Sequence, residues 1–477
     1  MDMDPASSTP LTVEVLPTKE DIEHARSQLI SFLPEKGIGL EQIEKHMRND
    51  LVPGFNKPNK SPNFYGFVTG GTTPASLLGD HIAVESDQNV QVFLPKETIA
   101  IEVEDRALNM VCDLLNLSSD EWSHRTFTTG ATASNIAGLA CGREFVLKAN
   151  VAELGMYEAM RTTGIERIQV LTTVPHSSLR KAASVVGLGR ACVRDVGLAE
   201  APHRFDMEAL RSALSNSKAA SIVAISCAEV NTGLFATNGE EMKQIRQLCD
   251  QYGAWMHVDA AFGLLARALP HTKEYAALVE GVEGLELADS ITGDAHKLLN
   301  VPYDCGIFLS RHLALGTNVF QNTKAAYLSV AAGADELQRI VPSPLNIGLE
   351  NSRRFRALPV YATLAAYGRE GYRDMMERQI GLARAIANLI ASSPYYELLP
   401  DDHYIGRTYI IVLFRAKDDE ANKVLVERIN NMRRVYVSGT QWDGRPAARF
   451  AIATWQVQIE RDLAVIKEVL QEVVKPQ

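Results

Sequence analysis

A chain of 477 residues with 46% hydrophobic and 22% charged residues has the apolar material for two or three packed units. Its net charge of −10 argues against a nucleic-acid or anionic-membrane surface as its main role. No stretch approaches the roughly 20 apolar residues that span a bilayer, and the acidic, small-residue start MDMDPASSTP lacks the basic-then-apolar order of a secretory signal.

Residues 18–50 carry a charged, amphipathic pattern suited to helices. A Gly/Thr-rich loop with aromatics, NFYGFVTGGTTPA, fills 63–75. Between 96 and 117, Ile99, Val103, Leu108, Val111, Leu114 and Leu115 recur close to helical spacing. Strand and helix signals then alternate. RIQVLTT (167–173) reads as a strand, and HSSLRKAASVVGLG (176–189) as a helix ending in glycines. RACVRDV (190–196) and SIVAISC (221–227) read as strands. NGEEMKQIRQLCDQYG (238–253) reads as a helix, with Asn238 as N-cap, Glu241 three residues later and Gly253 as stop. AWMHVDAA (254–261), ADSITG (288–293) and CGIFLS (305–310) complete the strands.

This alternation predicts an α/β fold with a mostly parallel sheet, whose ligands sit beyond the carboxyl ends of the strands. After about residue 355 the pattern changes. A helical stretch (357–392) leads to TYIIVLFRA (408–416), RVYVSG (434–439), ARFAIAT (448–454) and a last helix (457–474), which predicts a smaller α+β domain. The expected division is an N-terminal segment 1–73, a large domain 74–355 and a small domain 356–477. Six dispersed cysteines without a CxxC pair read as buried free thiols, so a cytoplasmic enzyme is expected.

Four features fall where strands of the sheet should end. TTGATASNIAGL (128–139) is a small-residue turn opening a helix. It suits a phosphate held by backbone N–H groups and the helix dipole, or simply a tight turn with a small packing face. His176 follows a strand and begins a helix, as a cap or as a flat ring for stacking on a planar ligand. Asp259 closes an apolar strand, as a structural cap or as partner to a cationic nitrogen. Lys297, in TGDAHKLLNVPYDCG (292–306), is either a snorkelling side chain or a desolvated amine able to form a Schiff base. Together the four match pyridoxal phosphate feature by feature. No His/Cys/carboxylate cluster has metal-ligand spacing, and no GxSxG follows a strand.

HVDAAFG followed by DAHKLLNVPYDCG resembles the group II pyridoxal-phosphate-dependent amino-acid decarboxylases, which include the aromatic-L-amino-acid, tyrosine, histidine and glutamate decarboxylases. The resemblance extends from about Pro62 to residue 452. It implies fold-type I, with a large domain built on a seven-stranded sheet, a small C-terminal domain, and a homodimer whose sites lie at the subunit interface. Residue by residue, it implies Lys297 as the Schiff-base lysine, His296 beside it as a cofactor contact, and Asp259 as partner of the pyridinium nitrogen. Ala261 packs near the ring, His176 stacks on it, and Ala131 and Thr132 occupy the phosphate turn. There TGATASN stands where many members have SGGTEAN. Tyr327, in KAAYLSV, matches the loop tyrosine that protonates the product carbon; members forming aldehydes tend to carry phenylalanine there. Phe67, Val68 and Thr69 line the substrate pocket, with Val92, Phe93 and Leu94 reaching it from the neighbouring subunit. The expected reaction is decarboxylation of an L-amino acid, first of all an aromatic one. The alternatives are a small polar or acidic substrate, or an aldehyde-releasing carbon–carbon lyase.

Overall fold

The computed structural model describes residues 14–94, 96–322, 341–400 and 404–474. Its strands are β1 (Phe64–Tyr65), β2 (His124–Thr128), β3 (Arg167–Thr172), β4 (Val193–Asp195), β5 (Ala219–Ser226), β6 (Trp255–Asp259), β7 (Ser290–Asp294), β8 (Gly306–Ser310), β9 (Tyr396–Leu399), β10 (Ile411–Ala416), β11 (Tyr436–Trp442) and β12 (Arg445–Ala451). Seven form one sheet in the order β2-β8-β7-β6-β5-β3-β4. Strands β3 to β7 pair in parallel, and β8 runs against both of its neighbours. Every residue of β5, β7 and β8 is buried. Helices cover both faces, which is why β5 and β8 read as apolar runs and not as alternating ones, whereas β7 (SITGD) buries polar residues.

The register places the site. Ser226 pairs with Asp259, and Asp259 with Thr292, so the carboxyl ends of β5, β6 and β7 form one row. The helix Ala131–Leu147 lies across these strands and comes very close to them. A Cβ on Gly138 would fall 2.4 Å from Cε1 of His257, and one on Gly142 2.9 Å from Cδ1 of Trp255. The small residues of TTGATASNIAGL therefore serve the close helix–sheet approach. The helix Gly239–Tyr252 is capped as its sequence predicts: Asn238 and Glu241 exchange backbone and side-chain bonds of 2.9 Å, and Gly253 closes it in the left-handed region.

The C-terminal sheet has five strands in the order β1-β11-β12-β10-β9, where the sequence predicts three. The additions are β9 and β1, a two-residue strand from the N-terminal segment that runs parallel to β11. The helical stretch from Ala357 to Ala391 is interrupted at Gly368, whose φ of 59° and ψ of −170° are not helical. Before and after the break it packs in the large core through Val360, Leu364 and Met376; its last turns enter a second core through Leu382, Ile386 and Ile390, with Phe414 and Phe450.

Asn300 joins the parts. It is fully buried, and its Nδ2 reaches the carbonyls of Gly70 (2.8 Å), Lys297 (3.0 Å) and Ala453 (2.8 Å). Its own carbonyl accepts from Thr73 N and Ser76 Oγ, each at 2.9 Å. No side chain fits at Gly70, where a Cβ would lie 2.1 Å from both Asn300 Nδ2 and Lys297 O.

Two stability predictions follow from these buried polar groups. Asn300→Ala strips buried carbonyls of their donor, at about 1–3 kcal/mol for each group left unpaired. The urea midpoint of the variant should fall accordingly, and an unchanged midpoint would contradict the joining role. The second concerns His124, fully buried at the start of β2, whose Nε2 donates to Ile347 O at 2.8 Å. Burial pushes this imidazole down to about 4. An unfolded histidine takes its proton near about 6.5, so below that pH the unfolded chain binds a proton that the native chain refuses. The stability tied to neutral His124 is thus present above about 6.5 and is lost as pH falls toward 4. Between pH 7 and pH 5 the urea midpoint of His124→Gln should drop less than that of the unaltered protein.

Candidate active site

Beyond the carboxyl ends of β5, β6 and β7 lies a cleft of about 470 Å³, open to solvent. Lys297 enters it from the short helix Ala295–Leu298, directly after β7. Its side chain is only 19% exposed, and Nζ lies 2.9 Å from Oδ2 of Asp294 and 5.8 Å from the centre of the Phe262 ring. That setting is not a snorkelling one: the amine is held inside by a buried carboxylate. Asp294 turns its other oxygen to the backbone N–H of Ala131 at 2.6 Å, which ties the lysine to the turn before the helix Ala131–Leu147.

Asp259 ends β6 and is held by two donors, Asn135 Nδ2 at 2.8 Å and the Ala261 N–H at 3.3 Å. His176 bears out the capping reading of its sequence context. It caps the helix Ser177–Val185 by accepting the Ser178 N–H at Nδ1, and its ring lines the cleft. Burial lowers its pKa, favouring the neutral ring. His296 is lowered by burial too; its Nδ1 accepts from Cys305 N at 3.2 Å, and its ring lies 4.4 Å from that of Tyr303.

Among the expected pocket residues, Phe67 and Val68 line the cleft. Both have φ of 58°, unfavourable for any side chain and most of all for a β-branched one, so the loop is held in place by its surroundings. Thr69 is buried beside them, with Oγ1 3.5 Å from the Tyr303 hydroxyl. Val92, Phe93 and Leu94 do not line this cleft within one chain. Phe93 packs at home against Ile101 and Val341, whereas Leu94 is 41% exposed. Tyr327 lies outside the described residues.

The cleft also holds residues that the sequence reading passes over: Asp294, Tyr303, Glu229 and Arg449. Asp294 carried a signal, since it precedes Lys297 by three residues across a strand-to-helix junction. Arg449 did not: it sits within β12, where it looks like any alternating polar residue. It is 6% exposed, and its Nε and Nη2 have no partner among the described residues. Burial lowers it to about 10, against the pull of the Glu229 carboxylate. Glu229 is itself occupied by the backbone N–H groups of Asn231 and Thr232 and the Thr232 hydroxyl.

The donor set fits pyridoxal phosphate. The first turn of the helix Ala131–Leu147 has no capping side chain of its own and opens on the cleft at Thr132 and Ala133. Because Asp294 takes the Ala131 N–H, Thr132 and Ala133 are the positions left to hold a phosphate. Asp259 offers a fixed acceptor for a ring nitrogen, His176 a flat ring, and Lys297 an amine.

Residues 23–417 match the family described as the pyridoxal-dependent decarboxylase conserved domain. Tryptophan decarboxylase 1 of Oryza sativa subsp. japonica is 25% identical over 466 residues, 93% of this chain and 86% of that protein. L-2,4-diaminobutyrate decarboxylase of Acinetobacter baumannii is 30% identical over 436 residues, 89% of this chain and 81% of that protein. The crystal structure of Oryza sativa TDC with PLP and tryptamine superposes with a TM-score of 0.82 at 21% identity, covering 97% of this chain and 93% of that one. With Lys297, Asp259 and the turn before the helix Ala131–Leu147 in one cleft, and with these matches along nearly its whole length, the chain belongs to the pyridoxal-dependent decarboxylase family and is a PLP-dependent carboxy-lyase.

Proposed function

We propose that the chain removes the α-carboxylate of an L-amino acid with an aromatic side chain and releases carbon dioxide and the amine. The observation that carries the chemistry is Lys297 Nζ held 2.9 Å from the Asp294 carboxylate in the cleft that Asp259 closes. The support for an aromatic substrate is the wall of Phe67, Phe262 and Tyr303 around the cleft.

The bound cofactor supplies an electron sink for the pair left behind when the carboxylate departs. The chain's own residues do the rest. Lys297 must give up a proton to act as a nucleophile, and Asp294 Oδ2 is placed to take it. Asp259, fixed by Asn135 and Ala261, keeps a proton on the ring nitrogen. Its negative charge is stabilised by two N–H donors. His176 covers the ring plane, and Tyr327 returns a proton to the substrate carbon as general acid.

A second reading has one specific observation behind it. The unpaired Nε and Nη2 of Arg449 would suit an acidic side chain on the substrate. Carbon dioxide release from a panel of amino acids separates the two. Turnover of aromatic substrates supports the first reading, and turnover of acidic ones that is lost in Arg449→Gln supports the second.

The same proposal includes a cytoplasmic homodimer with shared sites. Its support is the exposure of Leu29, Ile30, Phe32, Leu33 and Leu40 near the N-terminus and of Leu77, Leu78 and Ile82 on the helix Pro74–Ser86, large apolar side chains that a partner subunit would cover.

Two substitutions test the chemistry. Lys297→Ala should lower turnover by about 1,000-fold or more and abolish borohydride fixation of cofactor to the chain. Retention of either would remove Lys297 from its role. Tyr327→Phe should shift product from amine toward aldehyde, and an unchanged amine yield would show that another group donates the proton.

A further inference from the structure

Behind Asp259 runs a line of buried polar groups with a single sense. Trp255 Nε1 lies 3.0 Å from Ser290 Oγ, and Ser290 Oγ 2.8 Å from Nδ1 of His257. Nε2 of His257 lies 2.9 Å from Oδ1 of Asn135. Asn135 Nδ2 then reaches Asp259 Oδ2 at 2.8 Å and Ser178 Oγ at 3.3 Å, and Ser178 Oγ meets His176 Nδ1 at 2.8 Å. His257, Asn135 and Ser290 are fully buried.

The proton on each atom can be assigned from the two ends. The Trp255 indole can only donate, so Ser290 Oγ accepts from it and keeps its own proton free to give to Nδ1 of His257. The Asp259 carboxylate can only accept, so Asn135 must turn its NH₂ toward it and its oxygen toward His257. Nε2 of His257 therefore carries the proton. The opposite tautomer would set a bare Nε2 against the Asn135 oxygen, or flip the amide and set that oxygen against the Asp259 carboxylate. Burial holds the ring neutral, with its pKa lowered to about 4. The Gly138 backbone packs closely on the ring, where a Cβ would fall 2.4 Å from Cε1.

We propose that His257 is a positioning residue for the cofactor ring: its Nε2–H locks the Asn135 amide, which delivers one N–H to Asp259 and the other, through Ser178, to His176. One amide orientation then serves both the group that holds the ring nitrogen and the group that covers the ring face. The proposal rests on reading Asp259 as the partner of the ring nitrogen. Its chemistry is that of outer groups fixing the tautomer and orientation of inner ones.

The first test uses the cofactor-free protein. Nitrogen-15 NMR of histidine-labelled protein should show His257 as a neutral Nε2–H tautomer; a protonated Nδ1 would overturn the proposal. The second measures cofactor affinity by fluorescence quenching, with circular dichroism confirming that each variant is folded. His257→Leu should weaken binding by about 10-fold. His257→Gln, whose amide can still donate to Asn135, should recover most of that loss, which a merely space-filling role would not produce. In an Asn135→Ala background His257→Leu should add little, and a full 10-fold loss there would show that His257 does not act through Asn135. Asp259→Asn separates the two levels. If it leaves affinity unchanged, the reading of Asp259 fails. If it weakens binding while His257→Leu does not, the relay alone fails.

Discussion

One buried amide ties together the lengths of chain that surround the site. Asn300 Nδ2 meets carbonyls from the loop at Gly70, from Lys297 and from Ala453, three lengths of chain that come from the N-terminal segment, the large sheet and the end of the C-terminal sheet. Three carbonyls that would otherwise be stranded away from water instead share one amide NH₂. The pairing requires close approach, which is why Gly70 has no room for a side chain. It also fixes Lys297 at its backbone, while Asp294 fixes it at Nζ. The reactive amine is thus placed from both ends of its side chain by groups that are themselves buried.

The electrostatics of the cleft follow the same rule. Asp259, Asp294 and Glu229 each meet backbone or amide N–H groups. Donors fixed in direction stabilise a carboxylate without the reorganisation that water needs, so charge can stay in a poorly hydrated place. Arg449 is the exception, a buried guanidinium with N–H groups still unpaired among the described residues. Unspent hydrogen-bonding capacity inside a cleft is what distinguishes a binding group from a structural one.

What the sequence reveals depends on where the information is local. The parallel strands β5 and β6 are largely apolar because both faces are covered, and Asp259 stands out as a charge at the end of such a run, while Lys297 stands out as a charge just beyond β7 among apolar neighbours. The cap at Asn238 is local too. β2 is hidden because His124, Thr126 and Thr128 are polar yet buried, so HRTFT offers no apolar signal. β1 is hidden because two residues become a strand only by pairing with Tyr436 and Val437, far along the chain. Within the site, His257 and Asp259 lie two apart on one strand and so share a face, which the sequence permits one to see. The amide that links them comes from a helix more than 120 residues earlier, and no spacing rule reaches that far.

The pairing of β1 with β11 carries a consequence for how specificity can change. Phe67 and Val68 hang from β1, and Tyr436 of β11 stacks on Phe64 at 4.6 Å and leans on Phe67 at 6.0 Å. The wall of the substrate cleft is therefore mechanically a part of the C-terminal sheet, although its residues belong to the beginning of the chain. A substitution in β11 that touches no ligand can tilt that wall, so selection for a new substrate has a second lever remote from the pocket. The same link closes the chain into a loop of about 370 residues, a contact whose loop-closure entropy must be met before the wall is in place.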